Sequence, residues 1–314
     1  MSKVLITGGS GMIGTRLSEL LLESGHEIRH LSRNVNSQKR WETFHWNPMN
    51  GEIDLKALKD IDAIIHLAGS GIADEKWTEA RKKELIKSRV EGVKLLKDVC
   101  KDSGNELKQF VSAAAIGWYP STIDSKIYTE DDARGDGFLS DICYHWENCA
   151  DEFQPISKVA KLRIGVVLAN EGGALPEMAR PVRFFVGAGL GTGKQKVSWI
   201  HLDDACLAFK HVLENELEGI YNVVAPNSIS NQDFMQTLAD VIDRPIFLPN
   251  IPDFVIRGLF GQVAETVLNG VAVSSKKLQE SGYHFKYPTL SSALFNIYKR
   301  KLVSTSDEHG NKPK

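Results

Sequence analysis

Residues 3–14 read Lys-Val-Leu-Ile-Thr-Gly-Gly-Ser-Gly-Met-Ile-Gly, a short apolar run that passes directly into a glycine-rich stretch. The run is typical of a buried β-strand, and the apolar residues after the glycines recur at helical spacing. Glycines between a strand and a helix permit a tight turn and a close approach of the backbone to a pyrophosphate. The amino end of the helix then offers N–H groups and a favourable dipole to an anion. The stretch therefore predicts a dinucleotide-phosphate loop, with a glycine turn that binds no ligand as the alternative.

Strand-like and helix-like segments alternate through the first half of the chain. The predicted strands are 3–7, 26–31, 43–46, 63–67, 109–113 and 161–168, and the long helices between them are 74–101 and 138–153. Strands that alternate with helices favour βαβ units and a parallel sheet covered on both faces. We therefore predict an α/β fold, a Rossmann-type doubly wound parallel sheet.

The pattern changes after residue 168. Residues 170–200 are rich in glycine and poor in helical periods, so we expect a loop-rich segment that lines the site. Residues 226–300 are mainly helical and punctuated by proline, which indicates a smaller C-terminal lobe on the substrate side. The predicted division is a nucleotide-binding domain over 1–225, this lobe over 226–300, and a polar tail over 301–314.

Composition excludes several classes of protein. Lys plus Arg number 38 and Asp plus Glu number 40, so no basic surplus is present to neutralise nucleic-acid phosphates. No apolar run approaches the roughly 18 residues of a membrane span, and no signal-peptide pattern opens the chain, so we expect a cytoplasmic protein without a membrane partner. The 4 cysteines lack metal-ligand spacing, which predicts buried thiols and no metal site. A small-molecule substrate is expected, and a homodimer is left open.

The end of the second predicted strand carries the signal for cofactor choice. An NAD-selective site usually places Asp or Glu there, on the ribose 2′-hydroxyl. This chain has Ser32-Arg33-Asn34 instead, and a guanidinium suits a 2′-phosphate. The sequence therefore predicts NADP in preference to NAD, and the alternative is that Arg33 is a solvated loop cation.

Several motifs resemble the extended short-chain dehydrogenase/reductase superfamily: the glycine loop, residues 62–69 (DAIIHLAG) and residues 110–115 (FVSAAA). Ser88-Arg89, residues 135–139 (GDGFL) and residues 199–204 (WIHLDD) narrow the resemblance to its atypical "epimerase family protein" group, over residues 1–300. The resemblance implies a bound NADP or NAD. By match, the pyrophosphate would be bound by Gly8, Ser10, Gly11, Met12, Ile13 and Gly14. The adenosine phosphate would be contacted by Ser32 and Arg33. The adenine and ribose would be lined by Leu67, Ala68 and Gly69, and the nicotinamide would lie near Ser112.

The catalytic pattern of the superfamily is incomplete in this chain. That chemistry uses Tyr-x-x-x-Lys on a helix, with a serine on the fifth strand. Here Tyr144 is followed four residues later by Asn148, and Ala114 matches the serine. The remaining catalytic candidates are Tyr119 as a proton donor, Glu147 as a general base, and Ser112. For Tyr119 and Glu147 the alternatives are a packing aromatic and an ion-pair partner.

Two functions fit these residues. The first is an NADP-dependent oxidoreductase or epimerase that acts on an unidentified small substrate, and the intact glycine loop favours it. The second is a non-catalytic NADP-binding sensor or scaffold protein, which the missing Tyr-Lys pair favours.

Overall fold

The computed structural model describes residues 1–35, 40–104, 106–121 and 126–307. The strands in these ranges are β1 (Lys3–Thr7), β2 (Glu27–Ser32), β3 (Glu42–Asn47), β4 (Glu52–Ile53), β5 (Ala63–His66), β6 (Gln109–Ala115), β7 (Ile127–Tyr128), β8 (Lys158–Ile164), β9 (Val166–Leu168), β10 (Lys196–Val197), β11 (Trp199–His201), β12 (Gly219–Val223), β13 (Ile229–Ser230) and β14 (Ala272–Val273). The α-helices are α1 (Met12–Glu23), α2 (Glu79–Ser103), α3 (Phe138–Asp151), α4 (Ala174–Arg183), α5 (Leu202–Glu214), α6 (Asn231–Val241), α7 (Asp253–Phe260), α8 (Glu265–Leu268), α9 (Lys276–Glu280) and α10 (Leu290–Asp307).

The main sheet, within the described residues, has eight strands in the order β12-β8-β6-β5-β1-β2-β3-β4. Neighbouring strands are parallel except at one edge, where β4 runs antiparallel to β3. The chain extends from β1 through β2 to β3 on one side, then returns to place β5, β6, β8 and β12 on the other. The order therefore reverses at β1, and ligands of such sheets bind beyond the carboxyl ends of the strands at this reversal. This topology confirms the predicted doubly wound, Rossmann-type fold.

Both faces of the sheet are covered, which explains the continuous apolar character of its strands. Along β1, Val4 and Ile6 join the core cluster that contains residues of α1 and α5. Leu5, which points to the opposite face, joins the cluster that contains residues of α2 and α3. Successive side chains of β1 thus point to opposite faces of the sheet and join two separate core clusters, and helices cover both faces.

The glycine-rich segment 170–200 contains a helix that the sequence did not predict. In α4, Leu175, Ala179 and Val182 are fully buried and pack in one cluster with residues of α6 and α10. The helical pattern is hard to recognise because Pro181 lies inside α4 and the helix follows directly on Gly173, which has a φ of 69°. Helix α4 therefore shares a core with helices of the predicted C-terminal lobe.

The predicted strand 161–168 is broken into β8 and β9. A Cβ at Gly165 would lie 2.5 Å from the Ser198 carbonyl oxygen, so only glycine fits where the chain passes that backbone. Beyond Gly165 the chain leaves the main sheet, and β9 pairs in parallel with β11. The break carries the segment after β9 towards the glycine loop, where a Cβ at Gly173 would lie 3.4 Å from the Met12 Cε.

The boundaries of other predicted elements differ more modestly. The helix predicted over 74–101 begins at Glu79, because the Thr78 hydroxyl caps it by accepting the Arg81 N–H at 3.2 Å. The predicted helical tail is interrupted by β14, which pairs with β7. No helix among the described residues is both long and apolar enough to cross a bilayer.

Candidate functional site

The glycine loop after β1 is shaped by close contacts between backbone segments. Gly8 has a φ of 69°, and a Cβ there would lie 2.9 Å from the Ala68 nitrogen. A Cβ at Gly14 would overlap the Gly8 carbonyl oxygen, and one at Gly9 would overlap the His30 ring. Each of these positions therefore requires glycine for a separate steric reason, and the predicted residues of the loop and of segment 67–69 are brought together.

The amino end of α1 is open to an anion. Gly11 is the residue that precedes the helix, and no described side chain caps it. The first turn of α1 also carries no acidic residue. The first N–H groups of a helix lack partners within the helix, and its dipole favours negative charge at this end. The loop therefore fits the diphosphate of a dinucleotide.

A cleft of about 410 Å³ separates this loop from the segment that follows β9. Its walls include Ser10, Gly11, Met12, Thr15, Arg16, Asn170 and Glu171. The cleft lies at the carboxyl ends of β1 and β9, which is where α/β sheets bind ligands.

The turn after β2 presents Arg33 to solvent. The Ser32 hydroxyl donates to the Asn34 carbonyl oxygen at 3.1 Å and accepts the Asn34 N–H at 3.2 Å, and Arg33 is exposed between them. Glu84 on α2 lies within electrostatic reach. Its pKa is lowered chiefly by a hydrogen bond from Arg81, and the charge of Arg33 contributes more weakly. The turn thus offers a cation, although one acidic side chain stands nearby.

The segment after β5 is held against the loop by Thr7. The Thr7 hydroxyl oxygen accepts the N–H groups of Leu67 and Ala68, each at 3.3 Å. The same oxygen lies 2.9 Å from the Nδ1 of His66, whose pKa is lowered to about 4 by burial. His66 is therefore a neutral core residue that helps Thr7 to hold the segment after β5 against the glycine loop.

Ser112 has a backbone partner inside the sheet. Its hydroxyl donates to the Ala113 carbonyl oxygen at 2.9 Å, and the residue is buried. Its neighbours across the sheet are His66 on β5 and Lys161 on β8. Ala114, which matches the serine of the superfamily, is also buried.

Tyr119 and Glu147 are joined in one buried network by Arg163. Arg163 donates to the two carboxylate oxygens of Glu147 at 2.7 and 2.9 Å, and the side chains of this pair are 1% and 2% exposed. Its Nη1 also donates to the Tyr119 hydroxyl at 2.9 Å, and that hydroxyl donates to the Asn222 side-chain oxygen at 2.7 Å. The guanidinium further lies 4.1 Å from the ring centre of Trp118.

This network ties α3 and β8 to β12 and to the turn after β6. Both hydrogen-bonding roles of the Tyr119 hydroxyl are taken, and burial raises the pKa of Tyr119 to about 12. Both carboxylate oxygens of Glu147 are taken as well. We therefore interpret both residues as structural: Tyr119 as a packing aromatic and Glu147 as an ion-pair partner.

The face of α3 that meets the end of β6 carries neither tyrosine nor lysine. A Cβ at Gly117 would lie 3.4 Å from the Leu139 Cβ and 3.5 Å from the Cys143 Sγ, so these two residues, one helical turn apart, flank the strand end. The Cys143 thiol donates to the Ala115 carbonyl oxygen, and burial raises its pKa to about 12. Tyr144 faces outward, where Arg134 stacks on it.

The remaining titratable groups of the described residues do not form a metal centre. All 4 cysteines are free and buried, as predicted. Within the part of the chain that the structure describes, no three His, Cys, Asp or Glu side chains are grouped to hold a metal ion.

Comparison with known proteins places the chain in a family. The model of the NAD dependent epimerase/dehydratase family matches residues 4–136, and a domain of unknown function, DUF1731, matches residues 251–297. Epimerase family protein SSP1921 of Staphylococcus saprophyticus is 35% identical and covers 95% of this chain and 99% of its own length. Epimerase family protein YfhF of Bacillus subtilis is 34% identical and covers 96% of this chain and 99% of its own length.

A solved structure with the same architecture supports this placement. The crystal structure of human epimerase family protein SDR39U1 with NADPH superposes with a TM-score of 0.83 at 32% identity. The alignment covers 95% of this chain and 99% of the human one. The chain therefore belongs to the NAD-dependent epimerase/dehydratase family, within its group of epimerase family proteins.

Proposed function

We propose that the protein binds NADP(H) at the glycine loop and acts as an oxidoreductase or epimerase on a small substrate. The observation that carries the proposal is the uncapped amino end of α1 behind a loop in which glycine is sterically required. The NADPH in the structure of the human relative supports the same ligand for this chain.

The residues predicted to bind the nucleotide have distinct tasks in this proposal. Gly8, Ser10, Gly11, Met12, Ile13 and Gly14 hold the diphosphate through the N–H groups of the first turn of α1 and the helix dipole, while the Gly11 N–H closes the loop on the Gly8 carbonyl oxygen at 3.0 Å. Ser32 and Arg33 bind the 2′-phosphate, and Leu67, Ala68 and Gly69 form the wall beside the adenosine. When bound, NADP(H) supplies a hydride donor or acceptor at its nicotinamide ring.

Proton transfer needs a group other than the usual tyrosine and lysine. Leu139 cannot transfer a proton, and the raised pKa of Cys143 keeps its thiol protonated near neutral pH. Use of Tyr119 as a donor requires its hydroxyl to give up the bond to Asn222. This apolar end of α3 favours a second candidate function, in which the protein binds NADP(H) without turning over a substrate.

Calorimetric titration with NADPH and NADH tests the cofactor proposal. We expect tighter binding of NADPH, and we expect Arg33→Ala to weaken NADPH by about 10- to 100-fold while NADH is unchanged, because a charged hydrogen bond contributes roughly 1.5–3 kcal/mol. Lys101→Ala removes the same charge from an exposed position in the last turn of α2 and serves as the control. Equal losses for both nucleotides exclude the role of Arg33, and no binding of either nucleotide refutes the proposal.

Turnover separates the two candidate functions. NADPH oxidation is followed with a panel of carbonyl compounds, and epimerisation of sugar nucleotides in the presence of NADP+ is followed by NMR, for the wild type and for Tyr119→Phe. Turnover that Tyr119→Phe abolishes without loss of NADPH binding supports catalysis through Tyr119. Tight NADPH binding with no turnover across the panel favours the sensor or scaffold function.

A further inference from the structure

Two neighbouring segments of the C-terminal half expose apolar side chains. One segment follows α4, and the other connects α6 to the first turn of α7. They lie side by side, because the Arg244 guanidinium lies 5.1 Å from the Phe185 ring centre at one end. At the other end Leu190 forms a parallel bridge with Ile251. The apolar residues of the two segments therefore belong to one surface.

This surface, which we call the apolar patch, is large for a monomer. Its residues are between 47% and 76% exposed, and they are Phe184, Phe185, Val186, Phe247, Leu248 and Phe254. At about 200 Å² for each aromatic residue, the phenylalanines alone expose roughly 550 Å². The largest apolar patch on a monomer is ordinarily about 300–600 Å², and larger patches mark interaction surfaces. With the valine and the leucine added, the apolar patch exceeds that range.

The backbone turn that carries Phe185 is one that normally holds glycine. The N–H groups of Phe185 and Val186 donate to the carbonyl oxygens of Val182 and Pro181, each at 3.0 Å, which closes the last turn of α4 in a Schellman motif. Phe185 occupies the left-handed position of that motif, with a φ of 61°. Glycine is favoured there, because a bulky side chain is strained in this conformation. Stability of the fold alone therefore does not explain an exposed phenylalanine at this position.

Exposed arginines flank the apolar patch. Arg180 and Arg183 lie in the last turn of α4, Arg257 lies in the last turn of α7, and Arg244 stacks on Phe185. Among the described residues, six other arginines form ion pairs with carboxylates, and none of these four does. The positive charge beside the apolar patch is therefore available to an anionic partner.

Charge decides which partner the apolar patch fits. Residues 180–186 and 243–257 carry the four arginines against two aspartates, although the whole chain has a formal net charge of −2. If the patch paired with that of a second copy, the arginines of the two copies would face one another, and like charges across an interface are unfavourable. A bilayer surface with anionic headgroups instead accepts phenylalanines at the boundary of the acyl chains and attracts arginines.

We propose that the apolar patch docks the protein on a membrane surface that contains anionic lipids. Such docking is peripheral and needs no membrane-spanning helix. The expectation of no membrane partner, stated above, rests on the absence of a long apolar run, and the apolar patch escapes that criterion because two short segments build it. The proposal goes beyond the proposed function and does not depend on the nucleotide site.

Binding of the full chain to vesicles tests the proposal. Co-sedimentation is measured with vesicles of phosphatidylcholine and with vesicles of an equal mixture of phosphatidylcholine and phosphatidylglycerol. We expect at least tenfold stronger binding to the mixed vesicles, because the arginines gain the attraction of anionic headgroups. Raising the salt from about 0.1 M to about 1 M shortens the screening length from about 10 Å to about 3 Å and should remove most of this difference.

Phe185→Gly separates binding from stability. Since glycine suits the backbone there, we expect this variant to resist urea as well as the wild type or better, while its affinity for the mixed vesicles falls several-fold. Phe247→Ser combined with Phe254→Ser should lower that affinity at least tenfold, because two exposed aromatic rings no longer enter the bilayer surface. Leu55→Ser is the matched control, since Leu55 is 62% exposed beside β4, at the edge of the main sheet, and this variant should bind like the wild type.

A second pair of variants tests the charges. Arg244→Gln combined with Arg257→Gln should reduce the preference for mixed over neutral vesicles several-fold. Lys101→Gln, at an exposed position in the last turn of α2, removes a charge far from the apolar patch in sequence and should leave the preference unchanged.

Several results would overturn the inference. Wild-type protein that binds neither kind of vesicle, or binds both equally at low salt, excludes docking on anionic lipids. Folded Phe185→Gly with wild-type affinity for the mixed vesicles excludes the apolar patch, and this variant decides the matter if the double serine variant does not fold. A dimer in sedimentation equilibrium that the double serine variant converts to monomers, without vesicle binding, shows that the patch pairs two copies instead. The vesicle assay contains no nucleotide, so failure of the proposed function leaves its result unaffected.

Discussion

Replacement of Glu147 by alanine gives the sharpest test of the buried network. The carboxylate is 2% exposed, and its two oxygens accept hydrogen bonds from the Arg163 guanidinium at 2.7 and 2.9 Å. Glu147→Ala leaves a guanidinium that is 1% exposed without its counter-charge. Breaking a buried pair in this way costs about 3–5 kcal/mol, a large share of the roughly 5–15 kcal/mol that stabilises a domain.

The assay is urea unfolding at neutral pH, followed by circular dichroism, with NADPH titration of the same samples. We expect the free energy of unfolding to fall by about 3–5 kcal/mol in Glu147→Ala. A double variant, Glu147→Leu with Arg163→Met, recovers much of the loss, because an apolar pair of similar volume carries no unpaired charge. Glu280→Ala is the control, since its pair with Lys276 is exposed and surface pairs contribute at most about 1 kcal/mol.

Two results would contradict this reasoning. If the free energy of unfolding of Glu147→Ala lies within about 1 kcal/mol of the wild-type value, the buried pair contributes no more to stability than a surface ion pair does. Glu147→Gln that folds, binds NADPH and loses all turnover restores Glu147 as a general base.

Three further predictions concern the loop, the buried histidines and the thiols. Gly14→Ala places a Cβ against the Gly8 carbonyl oxygen and should weaken NADPH binding, measured by calorimetry, at least tenfold, or roughly 1.4 kcal/mol. Gly258→Ala in α7 is the control, because its Cβ meets no atom within 4 Å and should leave NADPH binding unchanged. Burial lowers the pKa of His66 and His201 to about 4, so between pH 6.5 and 4 the unfolded chain binds protons that the folded chain does not. Urea unfolding should therefore show that the free energy of unfolding falls on acidification, by up to about 3 kcal/mol for each histidine. The pH dependence should be weaker in His66→Asn. Burial raises the pKa of Cys143 to about 12, so the thiol should react with a thiol reagent only after unfolding, and rapid reaction of native protein would show that it is accessible.

The elements that the sequence predicts best are those whose signals are local. The strand, glycine loop and helix over residues 3–23 follow from apolar spacing and from glycines that a tight turn requires. The cap of α6 is equally local, because the Ser230 hydroxyl accepts the N–H of Asp233, three residues along the chain, at 3.1 Å. In each case the residues that decide the structure lie within one or two turns of one another.

What the sequence does not predict depends on contacts between distant segments. Gly165 breaks a strand because the Ser198 backbone lies against it, and neither residue shows this in the sequence. α4 is recognised only through the core that it shares with α6 and α10. The helix α5 is capped by the Nδ1 of His201, an unusual capping group that propensity does not suggest. For the same reason the sequence could not decide between catalytic and structural roles for Glu147, whose partner lies on another element.

Arg163 and Arg89 show how the pairing of a buried cation sets its contribution to stability. Both guanidinium groups are buried, and each lies against a tryptophan, 4.1 Å from the Trp118 ring centre and 4.9 Å from that of Trp146. Arg163 has a bidentate carboxylate inside the chain, so its burial is compensated in the apo protein and its removal lowers stability. Arg89 has only the Leu85 and Ser70 carbonyl oxygens as acceptors within the described residues, and no carboxylate there compensates its burial. We therefore expect Glu147→Ala to lose stability towards urea and Arg89→Met to retain it, and equal losses in the two variants would contradict this account.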